Sequence, residues 1–419
     1  MPAGRRVRGA VTVPPSKSLT HRHLALALLA GRPCVIERPL LAADTQRFLE
    51  VLRTLGWQVE ESDHRVAVAP GRLPPAARLE CGESGTLLRF LVALLATLPG
   101  EWVVAGAPRL HERPVGPLVA ALAELGASIR WLGANGFPPL AITGGTLVGG
   151  ESTVDAGESS QYLSALLLAG LAARQPVRLR VTALTSAPYV AVTVAAMRAW
   201  SGRVEATGDG YRVTPGPLSL PRRLRIEGDW SAAAYPAAAA VLTGGRVRLA
   251  GLAADSAQGD EAILEVLRQM GGTASWDGSE LTVAAGMPLR AVDLDLSGMP
   301  DQVPTVAALA PFARGTTRIR NVPHLRLKES DRLAAMAHEL GRLGASVQEQ
   351  RGGLTIPGVW AENEPPSAAV TVESWGDHRI AMSLALVGLR RPGVTVADPQ
   401  VVAKSYPAFW ADLEALLSS

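Results

Sequence analysis

Six Ala/Leu-rich helical runs recur along this chain at a nearly constant spacing, and that period restricts the fold more than any other feature. The runs open at Lys17 (SKSLTHRHLALALLAG), Gly85 (GESGTLLRFLVALLATL), Ser159 (ESSQYLSALLLAGLAA), Asp229 (GDWSAAAYPAAAAVL), Asp301 (PDQVPTVAALAPFA) and Asp377 (GDHRIAMSLALVGL), at intervals of 68, 74, 70, 72 and 76 residues. They are apolar nearly all round, which predicts burial. A second signal alternates with them: an amphipathic helix, a glycine, then strand, turn and strand. Gly56, Gly126, Gly202, Gly272 and Gly344 are the expected helix-ending residues. Leu118, Leu122 and Leu125, or Leu333, Met336 and Leu340, fall on one helical face. Short alternating segments such as Trp57 to Glu60 follow as strands.

A period this long exceeds those of the common solenoids. It fits a repeated β-α-β-α-β-β unit, and six units predict an α/β fold of two domains with three units each. The expected break is the Pro-rich, basic stretch 215–226. The last unit supplies its second helix (FWADLEALLSS) and then stops, while residues 5–13 (RRVRGAVTV) alternate like a strand without a unit of their own. That strand is expected in the C-terminal domain. The predicted domains are therefore 14–226, and 1–13 with 227–419.

Composition excludes several function classes. No window approaches ~20 uninterrupted apolar residues, so no transmembrane helix is expected. Arg5, Arg6 and Arg8 precede no apolar stretch of the kind a secretory signal needs. Cys34 and Cys81 stand in no disulfide framework and no metal-ligand spacing, which predicts a reducing, cytoplasmic setting. A net charge of +3 and 5% aromatics, with no basic stripe interleaving them, argue against a nucleic-acid partner. There is no P-loop, no strand-linked GxGxxG and no nucleophile elbow.

Of 41 basic residues only Lys17, Lys328 and Lys404 are lysine. A chain that writes almost every cation as Arg keeps Lys where a compact ammonium is needed in place of a planar fork. Other polar residues gather where the helices begin: Ser16, Lys17, Ser18 and Arg22; Glu83, Ser84, Gly85, Thr86 and Arg89; Ser159, Ser160 and Gln161; Asp301; Asp377, His378 and Arg379. Helix N-termini offer unpaired N–H groups and partial positive charge, so several of them facing one cleft suit a multiply anionic ligand. Two further clusters precede amphipathic helices, Arg109 to Pro114 and Arg326 to Arg332. With no metal set and no cofactor motif, chemistry rests on Lys, Asp, Glu, His and Arg acting as acids, bases and charge stabilisers.

The motifs SKSLTHR, GESGTLLR, HERPVG, ESSQYLSALL, SAPY, GDWSAAAY, MPDQVPTVA, RLKESDRL, GDHRIAM and AKSYP, in this order from Lys17 to Phe409, resemble those of the 5-enolpyruvylshikimate-3-phosphate synthase family of enolpyruvyl transferases. The resemblance implies two domains of three units, with buried helices whose N-termini face the interdomain cleft. It implies transfer of the enolpyruvyl group of phosphoenolpyruvate to the 5-hydroxyl of shikimate 3-phosphate. Ser159, Ser160 and Ser186 would hold the shikimate phosphate, with Gln161 nearby. Ser18, Arg22, Tyr189 and Lys328 would contact the rest of that substrate. Gly85, Arg113, Gln161, Arg332, Arg379 and Lys404 would hold phosphoenolpyruvate, with Lys17 between the two ligands. Asp301 and Glu329 would be the acid/base pair and His378 a supporting group. No metal, cofactor, nucleic acid or membrane is implied, the chain would act as a monomer, and Gly85 implies sensitivity to glyphosate. Glu83 and His324 stand where family members often carry Asn. UDP-N-acetylglucosamine enolpyruvyl transferase resembles the chain less: its Lys-Asn pair is Lys17-Ser18 here, and its loop Cys has no counterpart. An Arg-rich binding protein is the non-enzymatic alternative.

Overall fold

The computed structural model describes residues 4–221 and 224–418. Each buried run is a helix, and each follows or precedes strands in the same order. β1 (Arg8–Thr12) leads to α1 (Lys17–Ala30), β2 (Cys34–Glu37), α2 (Ala43–Thr54), β3 (Gln58–Ser62) and β4 (Arg65–Ala69). Next come β5 (Ala76–Glu80), α3 (Gly85–Leu95), β6 (Gly100–Ala105), α4 (Gly116–Glu124), β7 (Ser128–Trp131) and β8 (Leu140–Gly144). The third repeat is β9 (Gly150–Ala156), α5 (Ser160–Gly170), β10 (Val177–Leu184), α6 (Ala187–Ala199), β11 (Arg203–Thr207) and β12 (Gly210–Thr214). The fourth holds α7 (Trp230–Thr243), β13 (Arg246–Ala250), α8 (Ile263–Gln269), β14 (Gly272–Asp277) and β15 (Glu280–Ala285). The fifth is β16 (Asp293–Asp295), α9 (Val303–Leu309), β17 (Thr316–Arg320), α10 (Arg332–Arg342), β18 (Gln348–Gln350) and β19 (Gly353–Pro357), and the sixth β20 (Val370–Val372), α11 (His378–Gly388), β21 (Val394–Val396) and α12 (Phe409–Ser418).

The sheets repeat one topology. β5-β6-β8-β7, β9-β10-β12-β11, β1-β13-β15-β14 and β16-β17-β19-β18 each begin with a parallel pair and continue antiparallel. A parallel pair needs a long crossover between its strands, whereas a tight turn suffices for the antiparallel hairpin. β1 runs parallel to β13 from Arg8 opposite Arg246 to Thr12 opposite Ala250, so the N-terminal strand opens the fourth repeat. β2-β4-β3 has the same antiparallel core, and Arg225 forms a parallel bridge with Glu37 where the opening strand of that repeat would lie.

The chain divides into two compact units, Ser16–Ile226, and Met1–Pro15 with Glu227–Ser419. Each has its own apolar core. In the first, α1, α3 and α5 pack together; in the second, α7, α9 and α11 do so. Their Ala content permits this, because small side chains let helices approach on every side. α7 is buried from Trp230 to Leu242. Two helix ends differ from expectation. The left-handed residues that stop α6 and α8 are Ser201 (φ 60°) and Gly271 (φ 107°), each one position before the expected Gly202 and Gly272. Gly56, by contrast, has φ 84°, and a Cβ there would meet the Arg72 carbonyl oxygen at 2.1 Å, so only glycine fits.

Candidate active site

In the unit Ser16–Ile226 the polar groups collect around three helix starts. Ser16, Ser84 and Ser159 cap α1, α3 and α5, accepting from the N–H groups of Leu19, Leu87 and Gln161. The starts of α3 and α5 adjoin, because Gln161 donates to Thr86 Oγ1 (2.9 Å) and accepts from Arg89 (2.7 Å). Arg89 also donates to the Pro114 carbonyl (3.2 Å) and lies over the Tyr162 ring. Gly85 is the first residue of α3, and Arg113 packs directly against it: a Cβ on Gly85 would stand 2.5 to 2.8 Å from the Arg113 guanidinium. Ser160 is buried beside Ser159. Ser186 enters α6 with φ 53°, a left-handed geometry that a non-glycine residue holds at a cost of about 1–3 kcal/mol and that clusters at functional sites.

Lys17 forms an ion pair with Asp44 on α2 at 3.1 Å. Arg22 is engaged almost completely. Its Nε donates to Thr193 Oγ1 (2.8 Å), its Nη1 to Ser18 and its Nη2 to the Tyr189 carbonyl (2.9 Å). Burial lowers its pKa to about 10, against a smaller opposing effect of Tyr189. Arg22 thus binds Ser18 and Tyr189, the two residues expected beside it, to one another.

In the unit that contains Glu227–Ser419, Arg332 is the centre. Its guanidinium meets three carboxylates: Asp301 (2.8 Å), Glu329 (2.9 Å) and Asp377 (2.7 Å). Its side chain is 2% exposed and that of Asp377 is fully buried. Burial disfavours the charge on Arg332, but Asp377, Glu329 and Asp301 outweigh it and raise the pKa. Asp301 sits in the 3-10 turn Pro300–Gln302 before α9, not in that helix itself. Its second oxygen pairs with Arg379 at 2.7 Å. Burial opposes its ionisation, yet Arg379, Arg332 and Lys328 hold it well below the usual carboxylate range. Glu329 also lies 3.9 Å from Lys404. Asp377 caps α11 through the Arg379 N–H (2.9 Å), and buried His378 stands 3.7 Å from it. Cations and carboxylates are thus interleaved with Asp301 and Glu329 each held between two cations. Glu83 is exposed at the α3 start. His324 is buried, which with Lys328 lowers its pKa to about 4 against the pull of Asp301.

Sequence reasoning missed Asp44, Thr193 and Tyr235, the last a buried phenol beside Arg379 and Arg332. Asp44 carried a faint signal, an acid in the first turn of a helix. Thr193 and Tyr235 carried none, being ordinary residues within apolar runs.

Comparison with known proteins places the chain in a family. The family model for EPSP synthase (3-phosphoshikimate 1-carboxyvinyltransferase) matches residues 1–413. A 3-phosphoshikimate 1-carboxyvinyltransferase from Syntrophobacter fumaroxidans is 43% identical over 98% of both chains. One from Methanoculleus marisnigri is 39% identical over 97% of this chain and 96% of its own. A solved structure of EPSP synthase from Acinetobacter baumannii superposes with a TM-score of 0.80 at 28% identity, covering 99% of this chain and 96% of that one. The full-length match, the shared fold and the ordered motifs together make this chain a member of the EPSP synthase family.

Proposed function

We infer that the protein transfers the enolpyruvyl group of phosphoenolpyruvate to the 5-hydroxyl of shikimate 3-phosphate and releases phosphate. The observation that carries this reading is the cluster around Arg332, in which Arg379, Arg332 and Lys404 adjoin the carboxylates of Asp301 and Glu329. Phosphoenolpyruvate brings a carboxylate and a phosphate, which such cations bind. Addition of an alcohol to its double bond needs one group to take a proton from oxygen and another to give one to carbon.

The hydroxyl oxygen bonds to C2 of phosphoenolpyruvate as its proton passes to Asp301, and C3 becomes a methyl group with a proton that Glu329 first takes up from solvent and then delivers. Glu329, left as a carboxylate, then takes a proton from that methyl as the C2–O bond to phosphate breaks, the C–H electrons form the new double bond, and phosphate leaves with the bonding electrons of the broken bond. Clustered cations stabilise the dense negative charge of the adduct. The ion pairs support a sequence for these events. In the free protein the carboxylates occupy Arg332 and Arg379. A ligand anion that takes those guanidiniums withdraws positive charge from Asp301, and a carboxylate losing cationic neighbours becomes more basic.

On the same reading Ser159, Ser160 and Ser186 hold the shikimate phosphate with Gln161, and Ser18, Arg22, Tyr189 and Lys328 contact the ring substituents. Lys17, Gly85, Arg113 and Gln161 complete the phosphoenolpyruvate set, and His378 assists proton transfer. The single free Nη2 donor of Arg22 limits its direct contact and favours its holding Ser18 and Tyr189 in place. The reading carries with it a cytoplasmic monomer that uses no cofactor, and inhibition by glyphosate in competition with phosphoenolpyruvate.

The test is phosphate release from phosphoenolpyruvate with each of two acceptors. Release with shikimate 3-phosphate and not with UDP-N-acetylglucosamine supports the reading. Release with the nucleotide sugar alone reassigns the acceptor, and release with neither refutes the transferase reading.

A further inference from the structure

Tyr235 lies in the second turn of α7 and is buried. Its hydroxyl is beside the Arg379 guanidinium, with Arg332 and Asp301 close enough to act on it. Burial pushes the phenol up to about 12 while the two arginines pull it down, so it stays protonated at neutral pH. Among the described residues the hydroxyl has no hydrogen-bond partner at full geometry. The ring has firm neighbours. Its centroid is 5.8 Å from that of Phe409, edge to face, and Phe409 meets Tyr406 in the same way at 5.7 Å. Tyr406 is pinned in turn: its N–H donates to the Val402 carbonyl (2.8 Å) and its hydroxyl to Asp412 (2.7 Å). These contacts close the 3-10 turn Pro399–Lys404, which ends on Lys404.

Phenylalanine would fill the same space without burying a hydroxyl, and a buried hydroxyl costs free energy unless it is bonded. The group therefore needs a use. Both cations beside it, Arg379 and Arg332, pair with Asp301, which is itself assigned to the chemistry, and Arg332 is held besides by Glu329 and the buried Asp377. We infer that Tyr235 is a positioning residue for phosphoenolpyruvate: its phenol oxygen accepts from Arg379 when that guanidinium exchanges Asp301 for the ligand anion, and its ring braces the turn that carries Lys404. This rests on the proposed function, since it assigns Arg379 to that ligand.

The experiment is a cycle of Y235F, R379K and the double variant. In Y235F the ring and its contact with Phe409 remain. The expected result is a rise of at least threefold in the phosphoenolpyruvate KM, with kcat and the shikimate 3-phosphate KM within twofold of the parent. In the R379K background Y235F should add no further rise. A rise below threefold, an equal rise in both KM values, or a full further rise in the double variant overturns the inference. So does a Y235F chain that fails to fold, since the hydroxyl would then be structural. Calorimetric binding of phosphoenolpyruvate in the presence of shikimate 3-phosphate, on the same proteins, separates the two readings. The same order of Kd values without turnover would refute the reaction and retain the role of Tyr235.

Discussion

Replacing Gly85 by alanine tests the phosphoenolpyruvate set with a single methyl group. Built on the backbone, that Cβ stands 2.5 Å from Arg113 Nη1, 2.7 Å from Cζ and 2.8 Å from Nη2. Ordinary carbon contacts begin near 3.5 Å, so the guanidinium must retreat by roughly 1 Å. The atoms that move are the far end of a flexible side chain, and Gly85 opens α3 without a left-handed φ. The fold should therefore tolerate the change, with stability altered by less than about 1 kcal/mol. Function should not tolerate it. A charge-assisted hydrogen bond is worth about 1.5–3 kcal/mol, and losing its alignment corresponds to roughly a 10- to 150-fold rise in KM. The assay is steady-state phosphate release against phosphoenolpyruvate concentration, at saturating shikimate 3-phosphate, with the thermal midpoint measured in parallel. An unchanged midpoint with the raised KM is the expected pair of results. A KM within twofold of the parent would refute the placement of phosphoenolpyruvate against Arg113.

Lys17→Arg should lower kcat/KM by about 100-fold while the protein folds normally, because a planar fork cannot replace a compact ammonium at this place beside Asp44; near-parental turnover would contradict the argument from lysine scarcity. Asp377→Ala should cost about 3 kcal/mol in denaturant unfolding, since it strips one of three carboxylates from a buried arginine; a loss below 1 kcal/mol would show that Asp301 and Glu329 suffice. Stability should also fall in acid. Burial lowers His21 to about 3, and His23 and His324 to about 4, and His23 Nδ1 accepts from Trp200 Nε1 at 3.0 Å, which a protonated ring cannot do. The unfolded chain binds these protons near 6.5 and the folded protein does not, so stability is full above pH 6.5. It should decline by up to about 1.4 kcal/mol per pH unit per histidine below that. An unfolding free energy that stays flat from pH 6.5 to 4.5 would overturn this account.

The fold was legible because its signals are local. Ser16, Ser84 and Ser159 announce helix starts by capping chemistry, and the runs behind them are too apolar to lie anywhere but inside. Even so, the stop after α6 was misplaced by one residue, because Ser201 takes the left-handed geometry that glycine was expected to take. The charged residues of the candidate site were visible as clusters, yet their partners were not. Arg22 finds Thr193 across 171 positions, and Arg332 finds Asp377 across 45. No local pattern encodes a partner at that separation; the packing of the buried helices supplies it. Tyr235 illustrates the limit. Within an alanine-rich run it reads as core, and only its position beside Arg379 gives its hydroxyl a purpose.

Addition of the alcohol to phosphoenolpyruvate requires protonation of C3 before phosphate is eliminated. Running the reaction in deuterium oxide and weighing the enolpyruvyl product tests it directly. Because C3 passes through a methyl group that takes a solvent proton, deuterium should appear in the product methylene, and Glu329→Gln should suppress that incorporation together with turnover. Full phosphate release into a product that carries no deuterium would rule out protonation at C3.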